Sequence, residues 1–318
     1  MQCCFLDRRS LDQDDLDFSS LDHVVPGWQS YAATASDQVP DRIRTAEMVI
    51  SNKVVLDQAT LEQAADLKLI CVAATGTNNV DLEAARARGI MVCNVTAYAT
   101  PSVVEHVFAL LLSLVRRLPR YAGLAMDGHW RDSEQFCVLD APITELGGKT
   151  LGIVGYGELG KAVAQVAQAF GMRILIAQRP GSARGNNGRL PLQDLLEQVD
   201  VLSLHCPLTE ATHNLIGEAQ LQAMKPDALL INTARGGIVD EQALACALRE
   251  GWIAGAGVDV LHEEPPRQGN ILLEPGIPNL IVTPHVAWAS RESRQRLLDE
   301  VANNIHAFLD GTPRNRVA

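Results

Sequence analysis

The sequence predicts an α/β protein built from two parallel-sheet domains, one of them inserted into the other. Short apolar β-type runs alternate with amphipathic stretches along the whole chain, which is typical of parallel sheets covered by helices. A glycine-rich strand–turn–helix motif lies in mid-chain at residues 155–160, with α/β structure before and after it. At 318 residues, 47% of them hydrophobic, the chain is long enough to form two cores.

Composition narrows the range of partners. The net charge is −11, from 27 Lys and Arg against 38 Asp and Glu. An acidic surface repels nucleic acids and anionic membranes, so we expect neither as a partner, although a local basic site can still bind an anionic substrate.

No apolar run approaches the roughly 20 residues of a membrane span. The mostly apolar run at residues 1–6 is too short for a signal peptide, and an acidic residue follows it directly. The seven scattered cysteines include no CxxC pair, which predicts free thiols and a cytoplasmic location.

The first third of the chain predicts alternating strands and helices. We predict a long helix that starts after Thr100 and Pro101 and runs to Arg117, because proline is well tolerated at a first helical position. This helix is apolar on nearly every face, so both of its sides should be covered. Residues 120–146 read as irregular. The predicted strands are 2–6, 48–51, 69–73 and 91–95, and the predicted helices between them include 60–65 and 81–88.

A second alternating run begins at Lys149. Its last helix, 291–309, carries apolar residues at helical spacing. Since the glycine motif lies inside this run, we expect the last helix to belong with the N-terminal segment and the middle of the chain to form the inserted domain. The predicted strands are 150–154, 173–177, 201–205, 228–232, 253–258 and 280–283, with a helix over 161–170.

The motif at residues 155–160 fits G-x-G-x-x-G, the dinucleotide fingerprint, and lies between a buried strand and a helix as that fingerprint requires. Gly155 permits the tight turn, Gly157 lets a diphosphate approach the backbone, and Gly160 lets the helix pack on the strand. A glycine-rich turn without a ligand is the alternative, and the strand–helix context favours binding. We therefore predict two Rossmann-like or flavodoxin-like domains: a dinucleotide-binding domain of residues 100–289, and a substrate domain of residues 1–99 and 290–318.

The end of the next strand bears on the cofactor. An acidic residue there would bind the ribose diol of NAD and repel the 2′-phosphate of NADP. The sequence has Gln178 and Arg179 instead, with Arg184 as a further cation. A guanidinium attracts a phosphate, so these residues favour NADP(H) and leave NAD open.

Three polar residues follow successive predicted strands. They are Arg235, before a Gly-Gly pair, Glu264, before a proline, and His285. Hydride transfer from an alcohol needs a base that titrates near neutrality, a carboxylate that orients it, and a cation that fixes the acid group. Each residue alone could be structural, but the set downstream of a dinucleotide fingerprint favours catalysis. No histidine has other metal ligands at suitable spacing, so we predict no metal.

Six motifs make the sequence resemble the D-isomer-specific 2-hydroxyacid dehydrogenase family, and within it the glycerate dehydrogenase/hydroxypyruvate reductase branch. The resemblance covers essentially the whole chain. The motifs are AATGTNNVD at 73–81, AYATPSVVEH at 97–106, GIVGYG at 152–157, HCPLT at 205–209, NTARGG at 232–237 and TPH at 283–285.

The resemblance implies roles for these residues. Arg235 would bind the substrate carboxylate and carbonyl, Glu264 would be the carboxylate partner, and His285 the acid/base. The N–H groups of Thr75 and Gly76 would also bind the substrate carboxylate, and Asp259 would bond the nicotinamide amide. The family also implies a homodimer with the Trp130 region near its interface. Together with the fingerprint, the expected cofactor-binding residues are Thr100, Gly155, Gly157, Glu158, Leu159, Gly160, Gln178, Arg179, Cys206, Pro207, Thr212, Thr233, Ala234, Asp259 and His285.

The activity expected from this resemblance is reduction of hydroxypyruvate and glyoxylate with NADPH or NADH, equivalent to D-glycerate dehydrogenase. Two alternatives stay open at this point. One is an enzyme like phosphoglycerate dehydrogenase, and the other is a regulatory protein that senses NAD(H). The acidic charge disfavours the regulatory alternative.

Overall fold

The computed structural model describes residues 2–179 and 188–318. The chain divides into two compact units. The first unit consists of Met1–Ala99 and Trp288–Ala318, and the second unit is Thr100–Ala287.

The first 99 residues contain the strands β1 (Cys3–Phe5), β2 (Gln29–Ser30), β3 (Met48–Ser51), β4 (Leu69–Val72) and β5 (Met91–Cys93), and the helices α1 (Ser19–Val24), α2 (Val39–Ile43), α3 (Gln58–Glu62) and α4 (Leu82–Ala87). The second unit contains the helices α5 (Thr100–Val115), α6 (Leu118–Met126), α7 (Glu158–Ala169), α8 (Leu192–Leu196), α9 (Glu218–Gln222) and α10 (Glu241–Arg249), and the strands β6 (Thr150–Val154), β7 (Arg173–Ile176), β8 (Val201–Leu204), β9 (Leu229–Asn232), β10 (Gly255–Val258) and β11 (Leu280–Val282). The chain then returns to the first unit with α11 (Arg291–Leu309).

The first unit is built on a parallel sheet with strand order β2-β1-β3-β4-β5. Side chains alternate between its faces, so Val49 and Ile70 belong to one core and Met48 and Ile50 to the other. The helix α11 covers the second core with apolar residues at helical spacing, including Leu297, Val301 and Ile305. Because both faces are covered, the central strands are apolar throughout.

The second unit is built on a parallel sheet with strand order β11-β10-β9-β8-β6-β7. One face packs against a large core that includes Leu204, Leu230 and Val258. The helix α5 lies close against β10, since a Cβ added at Gly257 would be 3.0 Å from Leu110 Cβ. The register places five residues in one row across the sheet, and the next residue of each strand starts the carboxyl edge. This row is Val154, Leu204, Asn232, Val258 and Val282.

The structure confirms the predicted α/β class with two parallel sheets. Each strand that the sequence predicts is present, with ends shifted by at most two residues. The helix α7 begins at Glu158, three residues before its predicted start, since the end of the fingerprint is already helical. The long helix α5 ends at Val115, two residues early, because Arg117 has a left-handed backbone with φ of 52°.

The prediction of an irregular segment over residues 120–146 is wrong in part. Its beginning belongs to α6, which has Pro119 in its first turn and no buried residue. A helix without a buried face leaves no apolar periodicity to detect. None of the helices among the described residues is long and apolar enough to cross a membrane.

Candidate active site

The predicted site residues of the second unit lie along the carboxyl edge of its sheet. Arg235 follows β9, Glu264 follows β10, and His285 follows β11, and these three strands are neighbours. Ligands of open parallel sheets bind at this edge. The strand register aligns further residues at this edge. Gly155, Thr233 and Asp259 each come one residue after the row of paired residues that ends the strands.

His285 and Glu264 form a hydrogen-bonded pair. The imidazole Nδ1 lies 2.6 Å from Glu264 Oε2, and about a third of each side chain is exposed, 32% and 34%. The other oxygen of Glu264 accepts a bond of 2.9 Å from the N–H of Leu261, which fixes the carboxylate. A carboxylate accepts, so Nδ1 carries the proton and donates it, and proton exchange falls to Nε2.

The backbone of His285 adopts the left-handed region with φ of 54°, where residues other than glycine are rare. Its N–H donates to the carbonyl oxygens of Asp259, at 2.8 Å, and Thr283, at 3.0 Å. Such a conformation costs about 1 kcal/mol or more and persists only where its surroundings enforce it. The imidazole is therefore presented by a constrained turn and not by the end of a regular strand.

Asp259 lies behind this turn and is only 1% exposed. Its Oδ1 accepts bonds from the Thr283 hydroxyl at 2.5 Å and from the Val286 N–H at 3.0 Å, and its Oδ2 accepts from the Ala287 N–H at 2.9 Å. Burial alone would raise the pKa of Asp259, but hydrogen bonds from His106, Thr283 and the two amides outweigh it, so the pKa is lowered. The ionised carboxylate thus organises the segment that carries His285.

Arg235 is exposed on a tight turn after β9. The buried Asn232 closes this turn, since its side chain accepts from Ala234 N–H at 3.1 Å and donates to the Arg235 carbonyl at 3.0 Å. A Cβ added at Gly236 would lie 1.8 Å from the carbonyl oxygen of Leu261. Only glycine therefore lets the Arg235 turn pack against the loop whose Leu261 N–H holds Glu264.

Glycine is needed for a different physical reason at each of the three glycine positions of the fingerprint. Gly155 has φ of 94°, and a Cβ there would lie 2.5 Å from the backbone of His205. A Cβ at Gly160 would lie 2.2 Å from the carbonyl oxygen of Gly155. At Gly157 no described atom lies within 4 Å of a Cβ, and its φ of −83° suits any residue. Contacts within the protein thus explain Gly155 and Gly160, whereas Gly157 fits the approach of a ligand to the N-terminus of α7.

Two buried polar atoms at this edge have no hydrogen-bond partner among the described residues: His205 Nδ1 and Thr233 Oγ1. The other ring nitrogen of His205 lies 2.9 Å from Ser203 Oγ. Burial lowers the pKa of His205 to about 4, so the ring is neutral at physiological pH. The place of His205 at the end of a predicted strand already indicates that it lines the cofactor pocket, and this stays a prediction.

The remaining predicted cofactor residues of this unit surround the same edge. Thr100, at the start of α5, hydrogen-bonds through its hydroxyl to the Glu158 carboxylate at the start of α7. Thr212 is buried and closes its own loop, donating to the Pro207 carbonyl at 2.7 Å. Gln178 donates to the Arg189 carbonyl at 3.3 Å, just beyond β7. The segments after β7, β8 and β9 contain Arg179, Cys206 and Ala234, and Leu159 lies in the first turn of α7. Arg184 lies outside the described residues.

Thr75 and Gly76 follow β4 in the first unit. The Thr75 hydroxyl donates to the Val95 carbonyl at 2.8 Å, and its own carbonyl accepts from the Asn94 side chain at 2.7 Å. The Asn94 carbonyl in turn accepts from Asn304 of α11 at 2.9 Å. Sequence reasoning missed both asparagines, because this chain of bonds joins segments far apart in the sequence.

Known proteins of one family are similar to this chain. The family model described as "D-isomer specific 2-hydroxyacid dehydrogenase, NAD binding domain" matches residues 108–287. The chain is 48% identical to a glycerate dehydrogenase of Methylorubrum extorquens, over 98% of each chain. It is 36% identical to a hydroxypyruvate reductase of Blautia hydrogenotrophica, over 100% of this chain and 99% of that one. The chain belongs to the D-isomer-specific 2-hydroxyacid dehydrogenase family.

A solved structure shows the same fold. The NADPH-dependent glyoxylate/hydroxypyruvate reductase of Sinorhizobium meliloti superposes with a TM-score of 0.84 at 29% identity, covering 100% of this chain and 97% of that one. The family resemblance found in the sequence is therefore confirmed. The dehydrogenase is an oxidoreductase that acts on CH–OH groups with NAD or NADP.

The residues at the carboxyl edge fit a dinucleotide. The open space at Gly157, the N-terminus of α7 and the buried hydroxyl of Thr233 provide room and polar groups for it. Within the described parts of the chain, no group of three or more His, Cys, Asp and Glu side chains is placed to hold a metal ion.

Proposed function

We propose that this dehydrogenase reduces hydroxypyruvate and glyoxylate with a nicotinamide cofactor, and so interconverts hydroxypyruvate and D-glycerate. The observation that carries the proposal is the 2.6 Å pair of His285 and Glu264. These residues follow β11 and β10, and β10 lies next to β9, the strand that Arg235 follows. The named activities of the relatives in Methylorubrum, Blautia and Sinorhizobium support this choice of substrate.

Each residue of the trio has a defined task in this reaction. The guanidinium of Arg235 binds the substrate carboxylate and stabilises charge that develops on the carbonyl oxygen. His285 donates a proton from Nε2 to that oxygen, while Glu264 stabilises the imidazolium through Nδ1. The bound cofactor supplies hydride to the carbonyl carbon, so that one hydride and one proton give the alcohol. The N–H groups of Thr75 and Gly76 also bind the substrate carboxylate.

The cofactor is bound along the carboxyl edge of the second unit. Gly155, Gly157 and Gly160, with the first turn of α7, hold the diphosphate. Asp259, whose Oδ2 accepts one N–H bond in the protein, also accepts from the nicotinamide amide. The remaining contacts come from Thr100, Glu158, Leu159, Cys206, Pro207, Thr212, Thr233, Ala234 and His285.

We infer a preference for NADP(H) over NAD(H). Gln178 stands at the end of β7, where a carboxylate would repel a 2′-phosphate, and Arg179 follows it.

Two more predictions concern the whole protein: a homodimer that uses the exposed apolar region around Trp130, and a cytoplasmic location.

The decisive experiment measures NADPH and NADH oxidation with hydroxypyruvate, glyoxylate, pyruvate and 3-phosphohydroxypyruvate. We expect the first two to be reduced fastest. His285→Ala should lower kcat by about 10²- to 10⁴-fold, the range of general acid–base catalysis. Arg235→Ala should mainly raise KM for the 2-oxo acid.

The chain offers a matched control for the His285 variant. His306 also faces a carboxylate through Nδ1, 2.9 Å from Asp310, but on the exposed surface of α11. His306→Ala should leave kcat unchanged. The proposal fails if the folded wild-type protein binds NADPH, as shown by a change in cofactor fluorescence, and reduces none of the four acids.

A further inference from the structure

The helix α5 contacts the segment that carries His285 at two points. Ser102 and His106 are four residues apart, so they share one face of the helix. The Ser102 hydroxyl donates to the Ala287 carbonyl at 2.7 Å, and His106 Nε2 lies 2.9 Å from the Thr283 hydroxyl. The two contacts therefore fall two residues after and two residues before His285.

The groups around His106 and Thr283 determine which of these two residues donates the hydrogen bond between them. The Thr283 hydroxyl has one proton and lies 2.5 Å from Asp259 Oδ1, which accepts it. His106 Nε2 must then carry a proton and donate it to Thr283. The same nitrogen lies 3.4 Å from Asp259 Oδ1, so the helix, the hydroxyl and the buried carboxylate form one network. The proton of each donor in this network has a defined acceptor. Buried hydrogen-bond networks of this kind rigidify the groups that form them.

This rigidity acts on a backbone that needs support. His285 has φ of 54°, and its bond to Glu264 holds the ring but leaves the chain on either side to be fixed by other contacts. Strained conformations persist when the surrounding structure over-determines them, and proton transfer requires the ring to be placed to within a fraction of an ångström.

We propose that Ser102 and His106 are positioning residues, which hold the turn at residues 283–287 so that His285 presents Nε2 for proton transfer. This inference rests on the proposed acid/base role of His285. Both residues act through the backbone and Thr283. A small displacement of the ring lowers kcat because proton transfer depends steeply on distance.

The test uses variants that remove or restore each bond. His106→Leu and Ser102→Ala should each lower kcat by about 10- to 100-fold, the cost of a displacement near 1 Å. The dissociation constant of NADPH, measured by fluorescence titration, should stay unchanged. His106→Gln, which places an amide donor near the position of Nε2, should recover most of the lost kcat. Ser113→Ala, the same change on the same helix away from the turn, is the matched control.

A second measurement is independent of any substrate. Hydrogen–deuterium exchange should show faster exchange at the amides of Val286 and Ala287 in His106→Leu, with the amides of β9 unchanged. The proposal is overturned if His106→Leu keeps kcat within about twofold of wild type, or if these two amides exchange at the wild-type rate. If the wild-type protein reduces no 2-oxo acid, the proposed function fails, and the exchange data still decide whether the network holds the turn.

Discussion

Gln178 follows β7, where we propose that the sheet distinguishes NADP from NAD. An amide neither binds the ribose diol as a carboxylate would nor repels a 2′-phosphate. Gln178→Asp should therefore raise KM for NADPH relative to KM for NADH by about tenfold or more, equivalent to roughly 1.4 kcal/mol. Steady-state kinetics with each cofactor at saturating hydroxypyruvate give this ratio.

The control for this variant introduces the same charge elsewhere on the second unit. Gln198 is exposed and precedes β8, at the amino edge of the same sheet. Gln198→Asp should leave the ratio of the two KM values as in wild type. A Gln178→Asp enzyme that still prefers NADPH by the wild-type factor would rule out recognition of the 2′-phosphate at the end of β7.

His205 gives the protein a pH-dependent stability at the same sheet edge. Burial lowers its pKa in the folded state to about 4, from the usual 6.5 of a histidine in water. Between these values the unfolded chain binds a proton that the folded chain does not, so stability falls as pH decreases from about 6.5 to about 4. The contribution is on the order of 3 kcal/mol at most. His205→Gln should flatten the decrease of the melting temperature over this interval.

Carboxylates also titrate in this range, so the comparison must isolate one histidine. His306→Gln changes an exposed histidine of α11 and should keep the wild-type slope. If His205→Gln and wild type lose melting temperature in parallel as pH falls, His205 is protonated in the folded protein and its burial does not have the assigned effect.

Among the elements, the strands of the second sheet were predictable because most of their residues are apolar and a glycine or polar residue comes within two positions of each strand end. Buried parallel strands have this pattern, and the same strand ends carry Arg235, Glu264 and His285. Contacts between segments that are distant in the sequence could not be predicted. His106 reads as a core residue of an apolar helix, yet its partner Thr283 lies 177 positions away. No local periodicity encodes such a pair.

The helix α11 provides the clearest prediction at this scale. Asn304 is 1% exposed, donates to the Asn94 carbonyl at 2.9 Å and accepts from Asn315 at 2.9 Å. Asn304→Ala removes the partner of the buried Asn94 carbonyl and of the half-buried Asn315 amide, which should destabilise the protein by about 2 kcal/mol. Since Asn94 holds the Thr75 carbonyl, KM for hydroxypyruvate should also rise, with KM for NADPH unchanged.

The adjacent residue supplies the control. Asn303 is exposed and donates to Glu300 at 3.1 Å on the helix surface. Asn303→Ala should change neither the melting temperature nor KM by a measurable amount. Equal effects of the two substitutions would mean that the asparagine network does not support the loop at Thr75.

At the scale of the whole molecule, the exposed apolar surface is unevenly distributed. Among the described residues, six of the twelve exposed large hydrophobic side chains fall within residues 118–143. Met126 is 87% and Phe136 95% exposed. This segment is ordered by its own bonds, such as that from the Trp130 indole to the Phe136 carbonyl at 3.0 Å. An ordered apolar surface of this kind indicates a protein interface, and a second copy of the chain is the partner we expect.

The chain mass of 34.4 kDa allows a direct test of this dimer. Light scattering of the wild-type protein should give twice that mass. The double variant Phe136→Asp, Leu139→Asp should give the mass of one chain, because burying two carboxylates in an apolar contact costs several kcal/mol. Leu273→Asp places a charge on another exposed leucine of the second unit and should leave the dimer intact. A double variant that keeps the wild-type mass would show that the chains associate through a different surface, and a monomeric wild-type protein would exclude the dimer itself.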